Sequence, residues 1–193
     1  MDVLVALGRT LGFSLAAGVN LYATVALIGL AARYEWVALP EQFRVFDNPW
    51  VIGAAVVLYT VEFVADKVPW IDTIWDTVHT FVRPVGGALI AVAALGEASP
   101  AVEGLVALLG GAVAAGSHVT KAGTRVAANA SPEPFSNWAL SLLEDAFVVG
   151  LGFLTMSFPL VALGISAALL LAMALAARWV WKWIRRRTEM RPA

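Results

Sequence analysis

Six apolar segments alternate with short polar connections along the chain. They run from about Val3 to Ala32, Pro49 to Ala65, Trp70 to Leu95, Val102 to Ala128, Trp138 to Ser157 and Pro159 to Ile184. A helix that spans a bilayer needs roughly 20 such residues. The first and fourth segments exceed that and carry glycine near their middles, at Gly18 and at Gly110, Gly111 and Gly116. That pattern predicts tilted, kinked or broken helices in both. The third segment changes character partway. Trp70, Ile71, Ile74, Trp75, Val78, Phe81 and Val82 recur at helical spacing, while Asp72, Thr73, Asp76, Thr77, His79, Thr80 and Arg83 fill the opposite face. An amphipathic helix over residues 70–83 follows, lying in the membrane interface or lining a polar cavity. Pro84 and Gly86-Gly87 then precede an apolar run, Ala88 to Leu95, that is too short to span alone.

Two segments share a frame. Leu11-Gly12-x-x-Leu15-Ala16-Ala17-Gly18-x-Asn20 is matched by Leu109-Gly110-x-x-Val113-Ala114-Ala115-Gly116-x-His118. A glycine-broken apolar pair in two halves of a chain points to a duplicated membrane fold with a binding site at the breaks. The simpler reading is close helix packing of the small-xxx-small kind. With three helices per half, the second half enters upside down. The expectation is therefore an all-α membrane protein in one domain, with an inverted repeat of about 3–96 on about 101–184.

Basic residues orient it. Arg178, Lys182, Arg185, Arg186, Arg187 and Arg191 crowd the C-terminal tail, which places that end in the cytoplasm. Six crossings bring the N-terminus to the same side, together with Arg9, Lys67, Lys121 and Arg125, and leave Arg33 and Arg44 outside. The Ser131-Pro132-Glu133 run reads as a helix start.

Composition agrees with a bilayer. The chain is 60% hydrophobic and 14% charged over 193 residues, with mean hydropathy +0.79. Soluble domains are nearer half apolar and a quarter charged. The net charge of −1 gives no case for nucleic acid, and the absence of cysteine removes thiol chemistry. Several of the eight tryptophans lie near segment ends, where interfacial anchors belong. Asp2 and Arg9 make the N-terminus a poor signal peptide. No phosphate-binding loop, dinucleotide fingerprint or nucleophile–base pair is present, so no catalytic residue and no cofactor is expected.

The candidate chemistry lies in the charges that interrupt apolar runs. Such groups are costly in lipid and pair up or face water. Glu62 sits near the inner end of the second segment, Glu144 and Asp145 about two turns into the fifth. Lys121 and Arg125 are one helical turn apart, just past His118. With Asp76, His79, Arg83, Asn137 and Asn20 they make the inner half polar, and they predict a cytoplasm-facing vestibule whose floor lies near Asn20 and His118. Asp66 and Lys67 read more simply as snorkelling side chains at an interface. A metal at Asp72, Asp76 and His79 is a weak alternative.

The stretches Glu62–Ala91, Gly116–Asn137, Ser141–Phe147 and Gly18–Leu30 resemble a bacterial membrane family catalogued as domain of unknown function 4126 (DUF4126). That resemblance covers most of the chain and implies no activity. It adds weight to Asp66, Lys67, Asp72 and Glu133 beside the residues above. The reading is a small bacterial inner-membrane transporter or lipid flippase, proton- or cation-coupled through Glu62 and Glu144. Its partners are membrane lipids and an unknown substrate, and a homodimer would complete a pathway in so small a fold. The alternatives are a non-transporting structural or lipid-binding subunit and, third, a metal-dependent membrane enzyme.

Overall fold

The computed structural model describes residues 2–129 and 135–189, with side chains to residue 187. The expected helix start at Ser131-Pro132-Glu133 lies outside them. Among the described residues every regular element is helical. In chain order these are α1 (Val3–Val19), α2 (Leu21–Arg33), a short 3-10 helix (Glu41–Phe46), α3 (Pro49–Ala65), α4 (Pro69–Leu95), α5 (Pro100–Asn129), α6 (Phe135–Ser157) and α7 (Pro159–Glu189). By length and composition, α4, α5, α6 and α7 suffice to cross a membrane, and α1, α2 and α3 are shorter apolar helices. The chain is a helical membrane protein.

Local chemistry sets the boundaries. Asp2 accepts from the Leu4 N–H and caps α1. Asn48 caps α3 ahead of Pro49 in the first turn. Proline also opens α4, α5 and α7. The first apolar segment breaks at Asn20, whose backbone is extended at φ −146° and ψ 100°. The Asn20 N–H closes α1 on the Ala16 carbonyl, and its side-chain oxygen accepts from the Ala23 N–H at 2.9 Å to start α2. One residue thus ends one helix and begins the next.

The two short helices fold back as a hairpin. The Arg9 guanidinium donates to the Ala38 carbonyl, beyond the end of α2. Phe13 on α1 packs edge-on against Phe43 of the 3-10 helix, with ring centroids 5.5 Å apart. Gly12 lies against Thr155, and Leu27 against Gly152, at one and the same end of α6. The hairpin therefore enters from one end of the bundle, turns at Asn20 and returns to the same end.

This overturns two expectations. Arg9 sits at the end that holds Arg33 and Arg44, not with Lys67. α7 begins where Pro159 faces Gly8 and passes Gly116 at Met173, running in the same direction as α1. The start of α1 and the end of α7 therefore lie at opposite ends of the bundle, because the first segment folds back as a hairpin instead of running through as one helix. The inverted pairing of the two glycine frames also fails. Gly110 faces Ser14, and Gly18 faces Ala114 and Ser117, so α1 and α5 run parallel, whereas an in-plane two-fold axis would make equivalents antiparallel. The glycines serve close packing instead: a Cβ on Gly18 would meet the Ala114 carbonyl oxygen and lie 2.6 Å from the Ser117 Cβ. Unlike the first segment, α5 is continuous through its glycines. The chain lacks cysteine, so single cysteines report topology cleanly. Cysteines at Asp2 and Glu41 should label from one side of the membrane and a cysteine at Glu189 from the other. Labelling of positions 2 and 189 from the same side would sink the hairpin topology.

α4 is a single helix that continues through Pro84. Its amphipathy is turned inside out. Asp72, Asp76, His79 and Arg83 are buried, while Trp70, Ile74, Val78, Phe81 and Val85 are exposed. The same inversion holds elsewhere, with Glu62 and Arg125 inside and Val57, Val61, Leu143 and Leu171 outside. A surface of that kind is stable against hydrocarbon rather than water. The interfacial placement of residues 70–83 is therefore replaced by an inward polar face.

Candidate functional site: a buried ionic network

The C-terminal half of α3, the N-terminal half of α4, the C-terminal half of α5 and the N-terminal half of α6 meet at the end of the bundle opposite the hairpin's entry. Their charged residues recur at helical spacing, Glu62/Asp66 on α3 and its cap, Asp72/Asp76/His79/Arg83 on α4 and Lys121/Arg125 on α5, so each helix turns one polar stripe inward.

Glu62, fully buried, accepts from Arg83 Nη2 at 2.7 Å and from Lys121 Nζ at 3.1 Å. Lys121 also reaches Asp66 at 3.4 Å and Glu144 at 3.7 Å. Arg125 holds Asp66 at 2.8 Å and Glu144 through Nε at 3.1 Å. Its remaining N–H groups reach the Asp66 and Asn137 carbonyls. Arg83 pairs with Asp76 at 3.2 Å. Four carboxylates thus share three cations in a largely buried cluster, where losing any one partner is costly.

Hydrogen bonds carry the network to the hairpin tip. Arg83 Nη1 donates to the Gly18 carbonyl at 3.4 Å, placing a cation at the negative end of α1. It also donates to His118 Nδ1. A guanidinium cannot accept, so His118 carries its proton on Nε2 and donates to Thr80 Oγ1 at 3.1 Å. Thr80 in turn donates to the Asp76 carbonyl. On the other side Asn20 Nδ2 donates to Asp145 at 3.3 Å, and the Tyr59 hydroxyl lies near the same carboxylate. His79 donates from Nδ1 to the Trp75 carbonyl at 2.7 Å, which leaves Nε2 to accept from Tyr22 at 2.8 Å. Asn137 donates to Asn129, which donates to Asp72.

The structure therefore joins Glu62, Asp76, Arg83, His118, Lys121, Arg125 and Glu144 directly and reaches Asn137 through its carbonyl, while Asn20 with Asp145 and His79 with Tyr22 form separate hydrogen-bonded pairs beside them. The expected vestibule is filled at this depth by paired side chains. Asp66 is a correction: it is 2% exposed and doubly ion-paired rather than snorkelling. Its signal was the four-residue spacing from Glu62. Lys67 lies partly buried over the Phe63 ring, 3.0 Å from its centroid, and donates to the Phe63 carbonyl and to Ser141. Burial pushes its ammonium pKa down, and Asp145 and Asp66 oppose that. Tyr22 and Tyr59 were not singled out, because nothing in their spacing distinguishes them from ordinary helix residues, and Thr80 figures in the sequence only as one of the polar face of residues 70–83. Among the described residues no three of His, Asp and Glu group as a metal would need, so Asp72, Asp76 and His79 do not form a three-ligand metal site. Glu133 lies outside the described residues.

Two hollows adjoin the network. A pocket of about 250 Å³ between α1, α5, α6 and α7 has apolar walls, including Leu15, Val19, Phe147 and Met173, with Lys121 and Glu144 among its polar lining. Its rim residues Thr120, Thr124 and Leu143 are exposed, so it opens sideways. A smaller groove of about 130 Å³ runs between α4 and α5 along Asp72, Thr73, Asp76, Thr77 and Thr80.

No curated protein and no solved structure matches the chain. A family model described as a domain of unknown function, DUF4126, matches residues 7–179, a span that takes in the hairpin, the whole ionic network and most of α7. The chain belongs to that family.

Proposed function

We propose that this protein is a small bacterial inner-membrane transporter or lipid flippase, coupled to a proton or cation. One observation carries the reading: a re-entrant hairpin whose tip, Asn20, ends against a buried ionic network. Broken helices in membranes put helix termini and polar groups at mid-depth, where transporters hold ions and substrates. Buried charge of this density is not needed for stability alone, since apolar packing of the same volume is often as stable. The sideways pocket supports an amphiphilic substrate that enters from the bilayer, with its chain on Leu143, Phe147 and Met173 and its polar end toward Glu144 and Lys121. The basic end of α7, with Lys182, Arg185, Arg186 and Arg187, belongs in the cytoplasm by the positive-inside rule, and the α1 start belongs on the other face.

Glu144 is the first coupling residue and Glu62 the second. Glu144 borders the pocket and is shared between Lys121 and Arg125, so losing its charge leaves each of these cations one carboxylate short. In proteoliposomes, Glu144→Gln should abolish ion-gradient-dependent uptake or fluorescent-lipid translocation while the protein stays folded. Full activity in both Glu144→Gln and Glu62→Gln would eliminate these acids. The second reading, a non-transporting lipid-binding or structural subunit, is favoured by the close pairing within the network and by the exposed apolar face of α7. It takes over if wild type moves nothing across a broad panel of lipids and solutes.

A further inference from the structure

We propose that the groove between α4 and α5 is a binding site for a small monovalent cation such as Na⁺, liganded by Asp72, Asp76, Thr73 and Thr77. The proposal deepens the cation-coupled reading and rests on it for any role in transport, but the site itself stands on geometry.

The first observation is a buried oxygen without a donor. Asp72 is 1% exposed and lines the groove. Its Oδ2 accepts from Asn129 at 3.0 Å, while its Oδ1 is buried with no hydrogen-bond partner. Among the described residues Asp72 has no ion pair, although four neighbouring carboxylates share Arg83, Lys121 and Arg125. The local charge is therefore short of cations. Asp76, one helical turn away on the same face, has its Oδ1 buried without a hydrogen bond, facing only the Arg83 charge.

The second observation is the direction of the hydroxyl protons. Thr73 donates to the Pro69 carbonyl at 2.9 Å, and Thr77 to the Thr73 carbonyl at 2.7 Å. With each proton committed to the helix backbone, these oxygens can offer only lone pairs to whatever occupies the groove. Arg125 also lines it, but its N–H groups all point to Asp66, Glu144 and Asn137, so its charge is met elsewhere. What remains is an all-oxygen donor set, which suits hard cations. With two carboxylates, one already set against Arg83, the net charge on offer is close to one, which suits a monovalent ion rather than Ca²⁺ or Mg²⁺. The volume of about 130 Å³ holds an ion with a few waters, at roughly 30 Å³ per water. From there Thr80 and His118 lead to Arg83 and the hairpin tip, so occupancy would be felt at Asn20.

The test is equilibrium binding of radioactive Na⁺ to the purified full chain in detergent, with choline keeping ionic strength constant. Wild type should bind saturably, one ion per chain. Asp72→Asn and Thr77→Val should each weaken binding about tenfold or more, while Glu103→Gln at the far end of α5 should not. Thr77→Val is nearly isosteric and decides the matter if Asp72→Asn does not fold. Absence of saturable Na⁺ binding by wild type overturns the site, as does wild-type affinity in both variants or saturable Mg²⁺ or Ca²⁺ binding in its place. Na⁺ binding without any transport would keep the site and remove the transporter reading. Transport without Na⁺ binding would remove the site alone.

Discussion

Replacing Arg83 with methionine is expected to destabilise the folded protein by about 3–5 kcal/mol, the usual cost of stripping one partner from a buried ion pair. Arg83 is fully buried and is the hub between α3, α4, α5 and the hairpin. Its loss strips Glu62 of its closest cation, leaves Asp76 without an ion pair, and deprives His118 Nδ1 and the Gly18 carbonyl of a donor. Unfolding of the purified protein in detergent, followed by tryptophan fluorescence, measures it. Adding Glu62→Gln should recover part of the loss, because a neutral amide needs no countercharge. If the double variant costs the sum of the two single ones, the pair does not act as a unit.

Gly18→Ala is expected to destabilise at the upper end of the about 1–3 kcal/mol range for overpacking, since the obstacle is backbone. The new methyl group would drive into the Ala114 carbonyl and the Ser117 Cβ and push the hairpin off α5. It would also disturb the bond from Ser117 Oγ to the Leu15 carbonyl, 2.8 Å long. The control has the opposite sign. Nothing lies within 4 Å of a Cβ added at Gly150, inside α6, so Gly150→Ala should be neutral or stabilising by up to about 1 kcal/mol. Melting temperatures of the two variants check both. A Gly18→Ala protein as stable as wild type would mean that the hairpin is not seated against α5 as described.

The helices after the first segment, and the polar face that each carries, could be read in the chain because both follow from spacing; the direction of the face at residues 70–83 stays open in the sequence between the interface and a cavity. Asp72, Asp76, His79 and Arg83 share a face at steps of three and four residues, and so do Lys121 and Arg125. In lipid a shared polar face must turn inward. Asp66 was misread because its position next to Lys67, in the short connection between α3 and α4, looks like an interfacial pair. Only the approach of α5 supplies the two cations that bury it.

What the sequence by itself determined is the bilayer as solvent, the family, and the charges that must find one another, since these depend on composition and on periodicities of a few residues. The tertiary structure alone decided the path of the first segment. Gly18 with Asn20 and Gly116 with His118 look alike in the chain, yet only the first pair marks a break. The break depends on what surrounds the exposed helix ends. At Asn20 the freed α1 carbonyl at Gly18 meets Arg83, and the asparagine itself caps α2 and faces Asp145. At His118 the ring is taken up by Thr80 and Arg83, and the α5 backbone carries on to Asn129. Those partners lie 35 to 125 residues away in sequence, beyond the reach of any local pattern, and they turn one predicted helix into a hairpin.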